Sequence, residues 1–231
     1  MQNVTGSVQQ IQDIMKLFNK LFAIIGLSLA TLMCAAGQAA AQEAPDVLVK
    51  RISQEVLDAA RSDRDIQAGN QKRVLELVET KILPHVDFQR MTALASGRFW
   101  REATPEQQKQ LTNEFRALLV YTYSGAISQI RDQKLEYKPM RSDPADLDVE
   151  VRSQVVQSRG GDPIQLNYRL AKTPTGWKIY DVNVLGAWLV ETYKGNFATE
   201  ISKGGIDGLI KTLTEKNKKL AASAAKTAKA S

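Results

Sequence analysis

Histidine occurs once in this chain, at His85, and cysteine once, at Cys34. A Cys/His metal centre and a disulfide framework therefore lack the ligands and partners they need. Any Ser-His-Asp arrangement would have to use His85, which adjoins Pro84 and reads as a packing or hydrogen-bonding residue at a helix end. Also missing are a G-x-S-x-G elbow, a Walker loop and a dinucleotide fingerprint. GGIDG, at 204–208, has the glycines but follows a helical pattern instead of a strand, so it reads as a helix-to-helix turn. No cofactor is expected. Aromatic residues are scarce at 6%, and KRVLE, RFWRE and RDQKLEYK mix both signs of charge, so nucleic acid is excluded as a partner.

No apolar run is long enough to span a membrane. The longest, Leu21 to Ala36, falls short of the roughly 20 residues required. With Lys16 and Lys20 before it and Ala39-Ala40-Ala41 after it, it has the form of a secretory signal over residues 1–41. Met15, followed by KLFNK, is the alternative start of a conventional signal. Met33 directly before Cys34 argues against lipidation there, and cleavage near Ala41 would leave no cysteine. Removing Lys16, Lys20 and Asp13 from the 31 basic and 25 acidic residues leaves 29 against 24, a net charge of about +5. The basic, alanine-rich stretch 221–231 is expected to be a disordered tail.

Between these ends lies one domain, 42–220. Leu48, Ile52 and Val56 recur at helical spacing after Pro45, and Val74 or Leu75, Val78 and Ile82 mark a second helix stopped before Pro84. VDFQRMTALASGRFW reads as a shorter helical or irregular connector. Thr104, Pro105 and Gln107 form a helix start with a capping box, and apolar residues from Leu111 to Ile130 extend that helix as the domain's spine. The period then drops to two. LEYKPM, DVEVRSQVVQ, IQLNYRL and WKIYDVNV are four strands joined by turn-forming residues, with Pro174 and Gly176 at the second and fourth positions of a tight hairpin. In the fourth strand both parities are apolar, which predicts a bulge or a sheet covered on both sides. A helix from Gly186 to Ser202 and a last helix carrying Ile206, Leu209, Ile210 and Leu213 follow, separated at Gly204 and Gly205, with Gly204 expected in the left-handed conformation. The class is α+β, helices over one face of a four-stranded antiparallel sheet.

One acid is placed for chemistry. By parity Asp181 shares a face with Trp177 and Ile179, where it could be a base with a raised pKa; the alternative is that it accepts backbone hydrogen bonds. A periplasmic isomerase or hydrolase using Asp181, with Tyr168 or Tyr180 as donor, therefore stands beside two non-enzymatic readings, a binding protein and an adapter whose apolar stripes are all core.

Three stretches, ILPHVDF, SGRFWREATPEQQKQLTNEFRALLVYTY and GWKIYDVNVLGAWLVETYKGNFATEISKGGIDGLIKTL, resemble the MlaC or toluene-tolerance family of periplasmic phospholipid-binding proteins. The resemblance implies a sheet curled as in nuclear-transport-factor and ketosteroid-isomerase folds, with an apolar cavity between sheet and helices. It also implies a carrier, not an enzyme, that moves phospholipid across the periplasm and maintains outer-membrane lipid asymmetry. Its partners would be an inner-membrane ABC transporter complex with its substrate-binding subunit and an outer-membrane lipoprotein-porin complex. On that reading the expected lipid-contacting residues are Val86, Phe88, Met91, Leu94, Phe115, Leu119 and Tyr123 before the sheet. Val149, Val151, Leu166, Tyr168, Leu170, Trp177, Ile179 and Val184 follow on the strands, and Leu189, Tyr193 and Phe197 on the helix after them. Arg98, Arg101 and Lys178 are candidate charges at the rim.

Overall fold

The structure is a computed structural model and describes residues 42–140, 143, 145–157 and 160–230. The expected signal segment lies outside the described residues, as does the alternative start at Met15.

Helix α1, Pro45–Ser62, opens with proline in its first turn, where a missing N–H costs nothing, and buries the stripe Leu48, Val49, Ile52, Val56 and Ala60. Asp63 ends α1 and at once caps the short α2, Arg64–Gln67, accepting from the backbone N–H groups of Asp65 and Ile66. Asn70 caps α3, Gln71–Leu77, in the same way. The expected second helix is regular only to Leu77. It widens to a π turn over Val78–Ile82 and tightens to a 3-10 turn over Leu83–His85, so Pro84 sits inside a turn that tolerates its missing donor.

The connector that follows is more helical than its sequence suggests. Asp87 caps α4, Phe88–Ser96, and Gly97, at φ +58°, ends it before the single turn of α5, Phe99–Glu102. Helix α6, Pro105–Tyr123, has the full capping box, with the Thr104 and Gln107 side chains each bonded to the other's backbone. The spine does not stay α-helical to Ile130: after Tyr123 it becomes a 3-10 segment, Ser124–Gln129.

The sheet is an open antiparallel meander, β1 (Lys134–Tyr137), β2 (Asp148–Val156), β3 (Ile164–Thr173), β4 (Gly176–Val184) and β5 (Ala187–Trp188), in that order. It has five strands, not four. Val184 pairs with Ala187 around Leu185 and Gly186, both at positive φ, so residues expected to open a helix close a two-residue hairpin instead. The predicted bulge is present: Arg169 pairs with Asp181 but Leu170 pairs with Ile179, leaving Tyr180 as the extra residue. Ile179 therefore shares a face with Val182 and Val184, and Asp181 turns to the other face. The parity argument placing Asp181 beside Ile179 fails because it assumes an unbroken period of two.

Helix α7, Leu189–Ala230, is two helical pieces joined at Gly204 and Gly205. The left-handed residue is Gly205, at φ +65°, not Gly204. The chain remains helical through 221–230, where a disordered tail was the expectation, as alanine's high helix propensity favours.

Two apolar clusters result. One joins α1 to the sheet through Leu48, Ile52, Val56, Val151, Leu170 and Trp177. The other joins α4, α6 and α7 through Met91, Leu111, Phe115, Leu118, Phe197 and Leu209. Val86 and Val182 touch both.

Candidate ligand cavity

Between the clusters lies a cavity of about 680 Å³, within the roughly 300–1,000 Å³ usual for small-molecule sites. Its deep end is formed by Val49, Ile52, Val56 and Leu57 of α1, Val78 of the π turn, Met91 of α4, Leu119 of α6 and Leu189 of α7, all buried. One wall is the sheet face bearing Ile164, Leu166, Tyr168, Ile179, Val182 and Val184. The bulge makes that wall continuous, since without it Val182 and Val184 would face away.

The polar groups of the wall are already occupied. The Tyr168 hydroxyl bonds with Ser53 and Ser153, and burial raises it far above the usual phenol range, so it stays protonated. The Ser124 hydroxyl accepts from Gln71 Nε2 at 2.7 Å. A ligand inside therefore meets hydrocarbon.

Exposed lining residues gather at one end. Tyr123, Ala126, Gln129, Lys134, Gln157 and Leu185 line the cavity and also reach solvent. Strand pairing brings three of them, Lys134, Gln157 and Leu185, together, because Lys134 opposes Val156, Val155 opposes Ile164, and Leu166 opposes Val184 across a single sheet end, and Gln133, beside Lys134, donates to the Gln129 carbonyl at 3.4 Å. That end is the mouth.

Of the residues expected to contact ligand, Val86, Phe88, Met91, Leu119, Tyr123, Leu166, Tyr168, Ile179, Val184 and Leu189 line this cavity. The others do not. Phe115, Tyr193 and Phe197 stack on one another, ring centroids 4.9–5.9 Å apart, inside the helical cluster. Val151, Leu170 and Trp177 are packed in the α1–sheet cluster with Val149 against it, at the opposite end of the sheet from the mouth, and Leu94 points outward, 41% exposed. The α1 residues that form the deep end are not in the expected set. Their helical stripe is visible in the sequence, but nothing local shows that it opposes the cavity-facing strands. Arg98, Arg101 and Lys178 line no part of the cavity; Lys178 donates to the Pro84 carbonyl at 2.6 Å and Arg98 lies over the Phe99 ring.

Asp181 has the humbler of its two roles. It is 1% exposed, its Oδ1 accepts from the backbone N–H of Val182 at 2.9 Å and of Val190 at 3.0 Å, and Arg169 lies 3.4 Å from Oδ2. Burial raises its pKa above the usual carboxylate range, although both backbone bonds and Arg169 oppose the shift. It anchors the start of α7 to β4 from the face opposite Tyr168, so the two cannot act on one substrate in the cavity. Tyr180, under the Arg90 guanidinium and bonded to Asp148, does not line it either. Among the described residues no cluster of His, Cys, Asp or Glu could hold a metal ion, and no helix is long and apolar enough to cross a membrane.

Comparisons with known proteins agree with this geometry. A solved structure of the phospholipid-binding protein from Ralstonia solanacearum, in complex with a phospholipid, is 47% identical, with a TM-score of 0.72, and the match covers 76% of this chain and 98% of that one. The intermembrane phospholipid transport system binding protein MlaC of Haemophilus influenzae is 24% identical over 174 residues, 74% of this chain and 81% of its own. The toluene tolerance protein ttg2D of Pseudomonas putida is 23% identical over 171 residues, 72% of this chain and 77% of its own. The family model described as MlaC protein matches residues 50–215, which include nearly all of the cavity lining, and the chain belongs to that family.

Proposed function

We propose that this protein is a phospholipid carrier of the Mla pathway that holds acyl chains in the cavity and moves lipid between inner- and outer-membrane complexes through the periplasm. The observation that carries this reading is a cavity of about 680 Å³ whose wall is hydrocarbon and whose exposed polar groups are confined to its mouth. The phospholipid bound by the Ralstonia relative supports it, as does the transport role in the name of the Haemophilus one.

Energetics then dictate partners. Each buried methylene is worth about 0.8 kcal/mol, so on the order of 30 acyl carbons would contribute more than 20 kcal/mol, beyond the practical ceiling of non-covalent affinity. Such a ligand leaves only when another apolar surface receives it. A carrier of this kind needs a docking complex at each end: an inner-membrane ABC transporter with its substrate-binding subunit, and an outer-membrane lipoprotein-porin complex. The signal-like segment 1–41 fits export to that compartment. Organic extraction of the purified protein followed by mass spectrometry tests the reading. Stoichiometric phospholipid is the expected result; an extract without lipid would leave an adapter as the better account.

A further inference from the structure

Among the described residues Lys134 is the only charged one that lines the cavity, and no aspartate or glutamate lines it. It sits at the mouth, on the first residue of β1, opposite Val156 and so next to Gln157. Among the described residues it has no carboxylate partner. Gln129 and Gln157, also exposed and also lining the mouth, bring two amides with N–H donors to the same end.

The neighbouring cations are tied down on neutral oxygens. Arg61 donates to the carbonyls of Arg131 and Gln133, and Arg131 to those of Ser128 and Ile130. Their positive charge thus stays in place beside the mouth while several of their donors are taken by carbonyls. Asp132 and Asp162 lie near this end in sequence but line no part of the cavity. Among the described residues the rest of the lining holds no cation, and deep hydroxyls such as those of Tyr168 and Ser124 are already bonded, so burying a phosphate there would be prohibitive.

We infer that Lys134, with the side-chain amides of Gln129 and Gln157, is the site that holds the phosphodiester of the bound lipid at the cavity mouth. This rests on the carrier reading and adds to it an orientation: tails toward α1, phosphate on Lys134, and the remainder of the head group in water. The contact distinguishes a phosphate-bearing lipid from a neutral lipid with the same tails, and is indifferent to what the phosphate carries beyond it.

The test loads delipidated protein from vesicles containing equal amounts of phosphatidylglycerol and diacylglycerol with identical acyl chains, and reads the bound ratio by mass spectrometry. Wild type should enrich the phospholipid relative to the vesicle. Lys134→Met should lower that ratio about threefold, the range of a solvent-exposed charge contact, Lys134→Glu should lower it further, and Lys134→Arg should retain it. Diacylglycerol uptake should be the same in all four. Lys178→Met, a cation away from the lining, should leave the ratio unchanged. Excess inorganic phosphate at constant ionic strength should not alter the wild-type ratio. A collapse to the Lys134→Met value would make this a free-anion site and overturn the assignment. If wild type and Lys134→Met load with the same ratio, the phosphate site is wrong while the carrier reading survives. If wild type takes up neither lipid, both fall.

Discussion

The helical cluster and the cavity wall are built from the same residue types and do different work. Around Phe115, helices α4, α6 and α7 close completely: the ring stacks edge-on against Tyr193 and Phe197, and α6 is tied to α7 by Glu114, which accepts from Thr214 at 2.8 Å and Asn217 at 2.6 Å. Across the cavity, Leu166, Val182 and Val184 present an equally apolar wall that α1 faces without filling the space between. A close-packed interior transmits the loss of any methylene, whereas a wall facing mobile ligand can be refilled. Apolarity alone thus separates neither core from cavity; closure does.

The sharpest test of that contrast is Phe115→Ala. Phe115 is 0% exposed, and the change should cost about 3–5 kcal/mol, equally in lipid-loaded and delipidated protein, by chemical denaturation. Asp181→Ala probes the seam between the regions. It strips the acceptor from the buried N–H of Val190 and the part-buried N–H of Val182, at a cost of about 2–3 kcal/mol, while Asp181→Asn keeps an acceptor, should cost less and should leave lipid binding intact.

The Asn variant should also change the pH dependence. With its folded pKa raised, Asp181 holds its proton more tightly in the folded protein than in the unfolded chain. Its contribution is therefore favourable at low pH and is lost as pH rises from the ordinary aspartate value through the raised folded one. The difference in stability between wild type and Asp181→Asn should shift against wild type across that window and be flat on either side. A flat difference throughout would contradict the burial cause assigned to the shift.

Leu185 gives a smaller effect of opposite sign. A leucine at φ +55°, 72% exposed at the tip of the β4–β5 hairpin, is strained. Leu185→Asn should raise stability by roughly 1 kcal/mol, because asparagine tolerates the left-handed region. Smallest of all should be Leu166→Ala in the loaded protein, below about 1 kcal/mol, since the ligand shifts to occupy the space; Leu118→Ala, in the helical cluster, should cost the 2–5 kcal/mol, roughly, of a true core position. Equal costs at Leu166 and Leu118 in the loaded form would erase the distinction between the regions.

The same distinction explains what the sequence makes legible. Helix starts with a side-chain cap, such as Thr104 with Gln107, and hairpins set by turn residues, such as Pro174 to Gly176, are encoded locally and can be read locally. The conflict of parity in β4 is visible as well, but not its position, because the bulge at Tyr180 is settled by pairing with β3. Leu185-Gly186 escapes notice because leucine is a poor signal for a turn that needs positive φ. Cavity residues are harder for a deeper reason. Leu166 and Leu170 have the same parity on the same strand, yet one lines the cavity and the other is core. Distance along the strand from α1's packing decides between them, and no sequence period encodes that.

The central claim, that acyl chains lie between the sheet and α1 and not among the helices, is tested most directly by photocrosslinking. Protein loaded with a phospholipid carrying a photoreactive group near the middle of one acyl chain would be irradiated, digested and mapped by mass spectrometry. The label should fall on α1 around Ile52 and Val56 and on the strand residues Leu166, Val182 and Val184. Label concentrated on Phe115, Tyr193 or Phe197 would contradict the account, because the cluster described here as closed would then be where the lipid lies.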